Sequence, residues 1–555
     1  MEHVLSIPEL IDRIFAYTSR KTNTVTALVC RGWLELSRDH IWSNVRRPKE
    51  LLSFLAPLNG LEGDDLDFIR IPLEEDWQRF EPFATRVRRI TFTELNFSIS
   101  MGSTLLRSAS RPNPIFPNLR HVFWHIFSPS DSRNGVHALF LHPGVPKMTL
   151  YGLSRYGMNW ERYPLRSLFS DVAQLAPNIT QLHLRPHFPQ VDDMSEPINE
   201  LLSALLSLRR LAIEPSLLTA SVLQLLSTHS ELEAIVPAFD EYPGISGDPQ
   251  NVASVVGPLD LQPGAFPALK ILHLSMTSQA AIRFIADPNA PSARLEDLRI
   301  RLLDPINNVR VRELLMSTAE FCSNLRVLTV FLYPPVFASR WDAEQVMESL
   351  TFHAIEPLCR LKTVEQLAIY HVIPTSMTEP ELFHFVDSLP RLSSLHLVPR
   401  PDWGAGDPRQ PGPSNFDWHT LEVLLRRFPR LTHLGVYLDL SLPPTGISDA
   451  IAASLNTTTA DLPSCTIRVL TMGTTPIPPS MDPSMIASKL AALLGNQAEL
   501  WWGINAESEW GVPLPLYGGP SFQSELQGWE EIQKLLYSGF GVQREGVYHV
   551  GMKDS

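Results

Sequence analysis

Short apolar motifs recur along the chain after residue 80. Each has apolar residues at its first, fourth and sixth positions, and ten clear copies occupy residues 87–92, 119–124, 179–184, 208–213, 269–274, 295–300, 325–330, 364–369, 392–397 and 431–436. Weaker copies begin at residues 145, 232, 467 and 500. Apolar residues two positions apart are typical of a strand with one buried face. Helical periodicity fills the stretches between copies, so the pattern predicts strands and helices in alternation.

The copies lie about 32 residues apart on average. Repetition at this period predicts an α/β fold, an irregular leucine-rich-repeat solenoid over residues 81–505 with a parallel sheet on one face. An ordinary α/β domain of βαβ units is the alternative, and ten copies of one motif argue against it. Most copies lack the asparagine that usually follows the motif, so the array should be irregular. Residues 506–555 leave the pattern and are predicted to form a C-terminal cap.

The first 46 residues follow a helical pattern. Ser6 to Glu9 match the pattern of a capping box with proline near the helix start, and the helix predicted to follow would place on one face Ile7, Leu10, Ile11, Ile14 and Phe15. A second helical segment is predicted from about residue 24 to residue 42. Helices this short cannot bury so much apolar surface among themselves. The segment should therefore bind a partner or pack as a cap on the rest of the chain.

The order of residues in this segment resembles an F-box. Ile7-Pro8 stands where the family has Leu-Pro, Val29-Cys30 with Trp33 matches its Val-Cys-x-x-Trp core, and Trp42 is its closing tryptophan. The connection between the helices is shorter than in the family. With a long leucine- and proline-rich remainder, the layout is similar to the large F-box families of mushroom-type fungi.

The resemblance implies a three-helix F-box over residues 1–46 that docks on the Skp-type adaptor of an SCF-type ubiquitin ligase, and through it on a cullin. The positions that match the family's adaptor contacts are Ile7, Pro8, Leu10, Ile11, Ile14, Phe15, Val29, Cys30 and Trp33. Some of these must be internal core, and the sequence does not divide them. The chain would be the substrate-recognition subunit, bridging the adaptor and an unknown target protein. The alternative is an F-box-containing structural scaffold that acts outside a ubiquitin ligase.

No catalytic motif accompanies these features. The sequence contains no GxSxG, GxxxxGK[ST] or HExxH, so a non-catalytic protein without cofactor or metal is expected. Three histidines, His183, His273 and His396, share one outward repeat position, but they lie too many strands apart to hold one metal ion. They are predicted to be solvated.

Charge and composition limit the classes of partner and the cellular compartments that we expect for the chain. The net charge of −13 argues against nucleic acid, whose binding needs a basic footprint. No apolar run reaches 18 residues, so no membrane segment is expected. Four widely separated cysteines and the lack of a secretory signal favour a cytoplasmic or nuclear location. Residues 47–80, rich in acidic side chains, are predicted to be a linker.

A target-binding row is predicted from the residue that follows each motif. In four consecutive clear copies this outward position is apolar or aromatic, namely Phe331, Tyr370, Val398 and Tyr437. Exposed aromatic rows are common recognition sites. A loop with Trp403 leaves directly after Val398 and could form a wall beside the row. The alternative is that the loop folds over the row and buries it.

Overall fold

The computed structural model describes residues 7–59, 67–93, 99–126, 136–152, 165–186, 195–214, 217–238, 259–304, 306–332, 348–371, 373–399, 414–441, 466–473, 475–477, 481–494, 498–501 and 528–536. The chain divides into two compact units, Met1–Ala238 and Phe239–Ser555. Both alternate helices with parallel strands, as a solenoid-like repeat does.

Three helices open the first unit: α1 (Pro8–Ala16), α2 (Arg20–Thr26) and α3 (Arg31–Ser43). Pro8 fixes the backbone at the start of α1, and the backbone N–H of Thr22 donates to the Ser19 hydroxyl at the start of α2. The predicted second helix is in fact α2 and α3, separated by a turn. Phe15 packs edge-on against the Trp33 ring, with 5.5 Å between ring centroids.

The parallel sheet of the first unit follows. Its strands, in spatial order, are β1 (Asn44–Val45), β4 (Arg89–Thr93), β5 (His121–Ile126), β6 (Lys147–Gly152), β7 (Gln181–Pro186), β8 (Arg210–Ile213) and β9 (Ala234–Pro237). The short strands β2 (Leu58–Asn59) and β3 (Asp67–Phe68) form a separate antiparallel pair. Its remaining helices are α4 (Pro48–Leu52), α5 (Glu74–Ala84), α6 (Ile99–Arg107), α7 (Leu165–Leu175), α8 (Ser195–Ala204) and α9 (Ala220–Leu226).

The stretch predicted to be an acidic linker is folded where the structure describes it. Residues 48–52 and 74–84 are helical, and Leu51, Leu55 and Phe80 are buried. Asp76, one of the acidic residues behind the linker prediction, is buried between Arg70 and Arg79. That prediction is wrong here because the apolar residues among the charges form core.

In the second unit each strand pairs in parallel with the next along the chain. The strands are β10 (Ile271–Met276), β11 (Asp297–Leu302), β12 (Val327–Phe331), β13 (Gln366–His371), β14 (Ser394–Pro399), β15 (His433–Val436), β16 (Val469–Thr471) and β17 (Glu499–Trp501). The helices are α10 (Ser278–Ala286), α11 (Asn308–Phe321), α12 (Phe352–Ile355), α13 (Glu379–Ser388), α14 (Trp418–Arg427) and α15 (Pro483–Leu494). Residues 528–536 are also helical, and Trp529 donates to the Thr475 carbonyl oxygen at 2.8 Å.

The fourth residue of each motif forms the spine of both cores. In the second unit this spine is a ladder of buried leucines in register, Leu272, Leu298, Leu328, Leu367, Leu395, Leu434 and Leu470. The ten clear copies and the weak copies that begin at residues 145, 232 and 467 coincide with strands, and Leu500 lies in β17, in register with Leu470. The predicted repeat of strand and helix with a parallel sheet is therefore confirmed. Within the described part of the chain, no helix is long and apolar enough to cross a membrane.

Candidate binding surfaces

Helix α1 has one face in the core and one face in solvent. Ile11 and Phe15 are buried among the three N-terminal helices, whereas Ile7, Leu10 and Ile14 are exposed. Tyr17 extends the exposed face, with 82% of its surface accessible. We call Ile7, Leu10, Ile14 and Tyr17 the α1 stripe; their spacing of three, four and three residues keeps them on one side of the helix.

The end of α2 and the turn after it expose further apolar side chains. Val25 and Val29 are exposed, and Leu28 has 84% of its surface accessible. The turn exists because α2 ends at Thr26 and α3 begins only at Arg31. The sequence pattern predicts a helical segment from about residue 24 to residue 42 and does not locate this turn.

The structure divides the nine residues that match adaptor-contact positions. Ile7, Pro8, Leu10, Ile14, Val29 and Cys30 are exposed, Trp33 is half-buried, and Ile11 and Phe15 are buried. Ile11 and Phe15 are therefore among the internal core residues that the sequence leaves undivided from the contact set, and the Phe15 ring packs against Trp33 of α3. Tyr17, Val25 and Leu28 join the exposed surface. In the sequence these three residues are apolar side chains near a helix end. Such residues occur both in a buried core and on an exposed surface, so the sequence alone does not identify them.

The N-terminal helices are joined directly to the sheet. Strand β1 continues from α3 and pairs with β4, and the Ser43 carbonyl oxygen accepts a hydrogen bond from the Arg88 backbone N–H at 2.9 Å. The Arg86 side chain, just before β4, pairs with Glu35 and Asp39 of α3. The α1 stripe is thereby held in a fixed orientation to the first strands of the array.

The predicted target-binding row is not an open surface. Tyr370 and Tyr437 have only 5% and 3% of their surface accessible. Phe331 is half-buried and stacks on the Tyr370 ring, with 4.8 Å between centroids. The side chain of Val398 and all of Trp403 lie outside the described residues. An exposed row is therefore wrong at Tyr370 and Tyr437, and the alternative, burial, holds there.

Burial extends to other outward positions of β12–β16. Thr329, Ala368, His396 and Thr471 are all buried, although they point away from the leucine ladder. Burial lowers the pKa of His396 to about 4, with a smaller contribution from His433. The prediction that this histidine is solvated is wrong, because the face that carries it is covered.

Three side chains near the starts of α13 and α14 have metal-ligating atoms within 4.8 Å of one another: Glu379, Asp417 and His419. Hydrogen bonds account for the arrangement. Asp417 accepts from the Thr420 backbone N–H and caps α14, while the Glu379 carboxylate accepts from the Thr420 hydroxyl at 2.8 Å and lies 2.9 Å from His419 Nδ1. These bonds tie one repeat to the next, so the cluster is structural.

No protein-family model matches the chain, and no curated protein matches it either. Among solved structures it is similar to the complex of Rad7 and Elc1 from yeast, with 14% sequence identity over 77% of this chain and 92% of that chain. The TM-score is 0.34, a level that does not establish a shared fold.

Proposed function

We propose that the chain is the substrate-recognition subunit of an SCF-type ubiquitin ligase. In this proposal the helices α1–α3 are an F-box that docks on a Skp-type adaptor, and the strand–helix repeats hold a target protein. The chain itself performs no covalent chemistry. The observation that carries the proposal is the α1 stripe, a set of large apolar side chains left in solvent on a helix whose other large apolar residues, Ile11 and Phe15, are buried.

Exposed apolar side chains in a row favour a protein partner. Scattered apolar residues are normal on a protein surface, but several on one helix face commonly mark an interaction site. Burying such a face in a complex contributes roughly 25 cal/mol per Å² of apolar area. The F-box resemblance identifies the partner class, because the family's Leu-Pro start corresponds to Ile7 and Pro8, which are both exposed.

The rigid connection to the sheet supports a bridging role. A ligase receptor must hold its target at a defined distance from the adaptor, and Arg86 with strand β1 fixes the N-terminal helices to the first strand of the array. A scaffold outside a ligase would share the adaptor contact. Co-purification separates the two functions, since a ligase subunit brings down adaptor and cullin together and a scaffold brings down no cullin.

The test is an adaptor pull-down with charges placed in the α1 stripe. Because Leu10 and Ile14 are exposed, L10D/I14D should fold normally yet lose at least tenfold in adaptor affinity, as charges would be buried in an apolar contact. The matched control is L206D/V309D, which charges two exposed apolar residues elsewhere and should bind normally. Full adaptor binding by folded L10D/I14D would refute the proposal.

A further inference from the structure

A row of basic side chains crosses the first unit on the face of the sheet opposite its core. The register aligns the first residues of β4 to β8 in one row: Arg89, His121, Lys147, Gln181 and Arg210. We call this the basic row. The residues that follow them in each strand, from Ile90 to Leu211, are fully buried, so the basic row lies on the outward face.

No carboxylate stands in the basic row, all of whose side chains the structure describes. Among the described residues, no acidic side chain forms an ion pair with Arg89, Lys147 or Arg210. By contrast Arg209, which precedes Arg210 and lies outside the row, forms an ion pair with Glu231 at 2.9 Å. The row therefore presents positive charge without acidic partners among the described residues, in a chain whose net charge is −13.

The cations of the row act on one another. Burial lowers the pKa of Lys147, and the charges of Arg89 and Arg210 lower it further. Burial likewise lowers the pKa of His121 to about 4, with added repulsion from Lys147 and Arg89. The repulsion between like charges that the fold holds close together decreases when an anion binds between them.

An aromatic cluster lies beside the basic row. Phe123 and Tyr151 lie on the same outward face of β5 and β6, and His125 contacts both rings, with centroid distances of 4.8 Å and 5.4 Å. All three are half-buried. Aromatic rings beside cations provide apolar contact next to the charge, as protein-binding hot spots do.

We propose that the basic row binds an acidic, extended segment of the target protein. This inference rests on the proposed role of the chain as a target receptor and names the chemistry of the target. Arg89, Lys147 and Arg210 are each two strands apart, which is about 10 Å. Three residues of a chain in the extended polyproline II conformation rise about 9 Å and bring every third side chain back to the same face, so a segment that crosses the strands in this conformation with an acidic group at every third residue would match all three cations.

Carboxylates and phosphates on the segment would both match these cations. Peptides that carry one or the other group distinguish the two. The probes are fluorescein-labelled peptides of about twelve residues: one with Glu at every third position, one with the same composition and its Glu clustered at one end, and one with phosphoserine in place of the spaced Glu. Anisotropy is read against the purified full chain. The spaced anionic peptides should bind at least about tenfold more tightly than the clustered one, and binding should weaken as salt is raised.

The variant R89Q/K147Q/R210Q should lower the affinity for the spaced peptides at least about tenfold. The matched control R88Q/R209Q/K270Q removes the same charge from neighbouring or equivalent positions outside the row and should bind as the unmodified chain does. Equal weakening by both variants, or no binding of any spaced peptide, would overturn the proposal. So would tighter binding of a single-stranded RNA oligonucleotide than of every peptide.

Adaptor pull-down is measured in parallel. R89Q/K147Q/R210Q should retain full adaptor binding, so a failed peptide experiment leaves the adaptor contact intact and rejects only the acidic-segment inference. L10D/I14D should lose adaptor binding and retain peptide binding, because the α1 stripe and the basic row bind different partners.

Discussion

At the residue scale, the N-terminal helices show what a hydrophobic pattern does and does not determine. The sequence predicted an apolar face over Ile7 to Phe15, and the structure splits that face between solvent and core. Five apolar residues in nine positions share one arc of about 140° around the helix, and Leu10 and Ile11 both lie within it, so periodicity cannot tell which of the two faces the core. Packing against α3, where the Phe15 ring meets Trp33 and His40, decides which side is inside.

Asn23 is the buried polar residue that joins α1 to α2. Its amide donates to the Phe15 carbonyl oxygen at 3.1 Å, and its side-chain oxygen accepts from the Thr18 hydroxyl at 2.7 Å. We predict that N23A destabilises the N-terminal helices by about 1–3 kcal/mol, because Asn23's partners lose their bonds inside the protein. Hydrogen exchange over residues 8–26 should accelerate. The exposed change T24A is the control, and equal exchange rates in the two variants would contradict the prediction.

Two histidines of the second unit should make its stability depend on pH. Burial lowers the pKa of His371 and of His396 to about 4, whereas the unfolded value is about 6.5. Between these values the unfolded state binds more protons, so stability falls as the pH drops from 6.5 to 4 and this contribution levels off below 4.

Each pKa unit corresponds to about 1.4 kcal/mol. We therefore predict that the free energy of unfolding is lower by a few kcal/mol at pH 5 than at pH 7, which is measured as a lower urea midpoint. H396Q should reduce the difference, whereas H353Q, which changes a histidine with 75% of its side chain exposed, should leave it unchanged. A difference that H396Q does not reduce would show that His396 is not responsible.

At the element scale, strands were more predictable than what covers them. Each strand can be located in the sequence because its fourth and sixth motif positions are apolar and face the core. The fourth position must be apolar because it belongs to the leucine ladder. The outward positions carry no such rule, since a side chain there is exposed or buried according to distant segments. For this reason the sequence pattern alone predicts a surface row at Tyr370 and Tyr437, whereas the structure buries both.

The contact between α3 and the start of β4 depends on Arg86. Its guanidinium, largely shielded from solvent, pairs with Asp39 at 2.7 Å and with Glu35. We predict that R86Q loosens this junction by about 1 kcal/mol, the upper range for partly exposed ion pairs, and speeds hydrogen exchange over residues 31–45. R38Q removes an exposed partner of Glu35 and should have no effect. Unchanged exchange in R86Q would place the rigidity of the junction in strand β1 instead.

At the scale of the whole molecule, the proposed function requires two surfaces that act independently. The α1 stripe is apolar and belongs to the helices; the basic row is charged and belongs to the sheet. Both lie in the first unit, where β1 and Arg86 connect helix to sheet. A receptor needs both contacts at once, so damage to either should stop target turnover in the cell, although each leaves the other contact unchanged in vitro.

We therefore predict a pattern across two variants. L10D/I14D should lose the adaptor and keep the acidic peptide, R89Q/K147Q/R210Q should keep the adaptor and lose the peptide, and each should stabilise the target when it replaces the normal chain. Target half-life after translation is blocked is the measurement, with L206D/V309D and R88Q/R209Q/K270Q as controls of unchanged turnover. Normal turnover with L10D/I14D, despite lost adaptor binding, would favour a scaffold outside the ligase, because such a protein has no need to bring a target to a cullin.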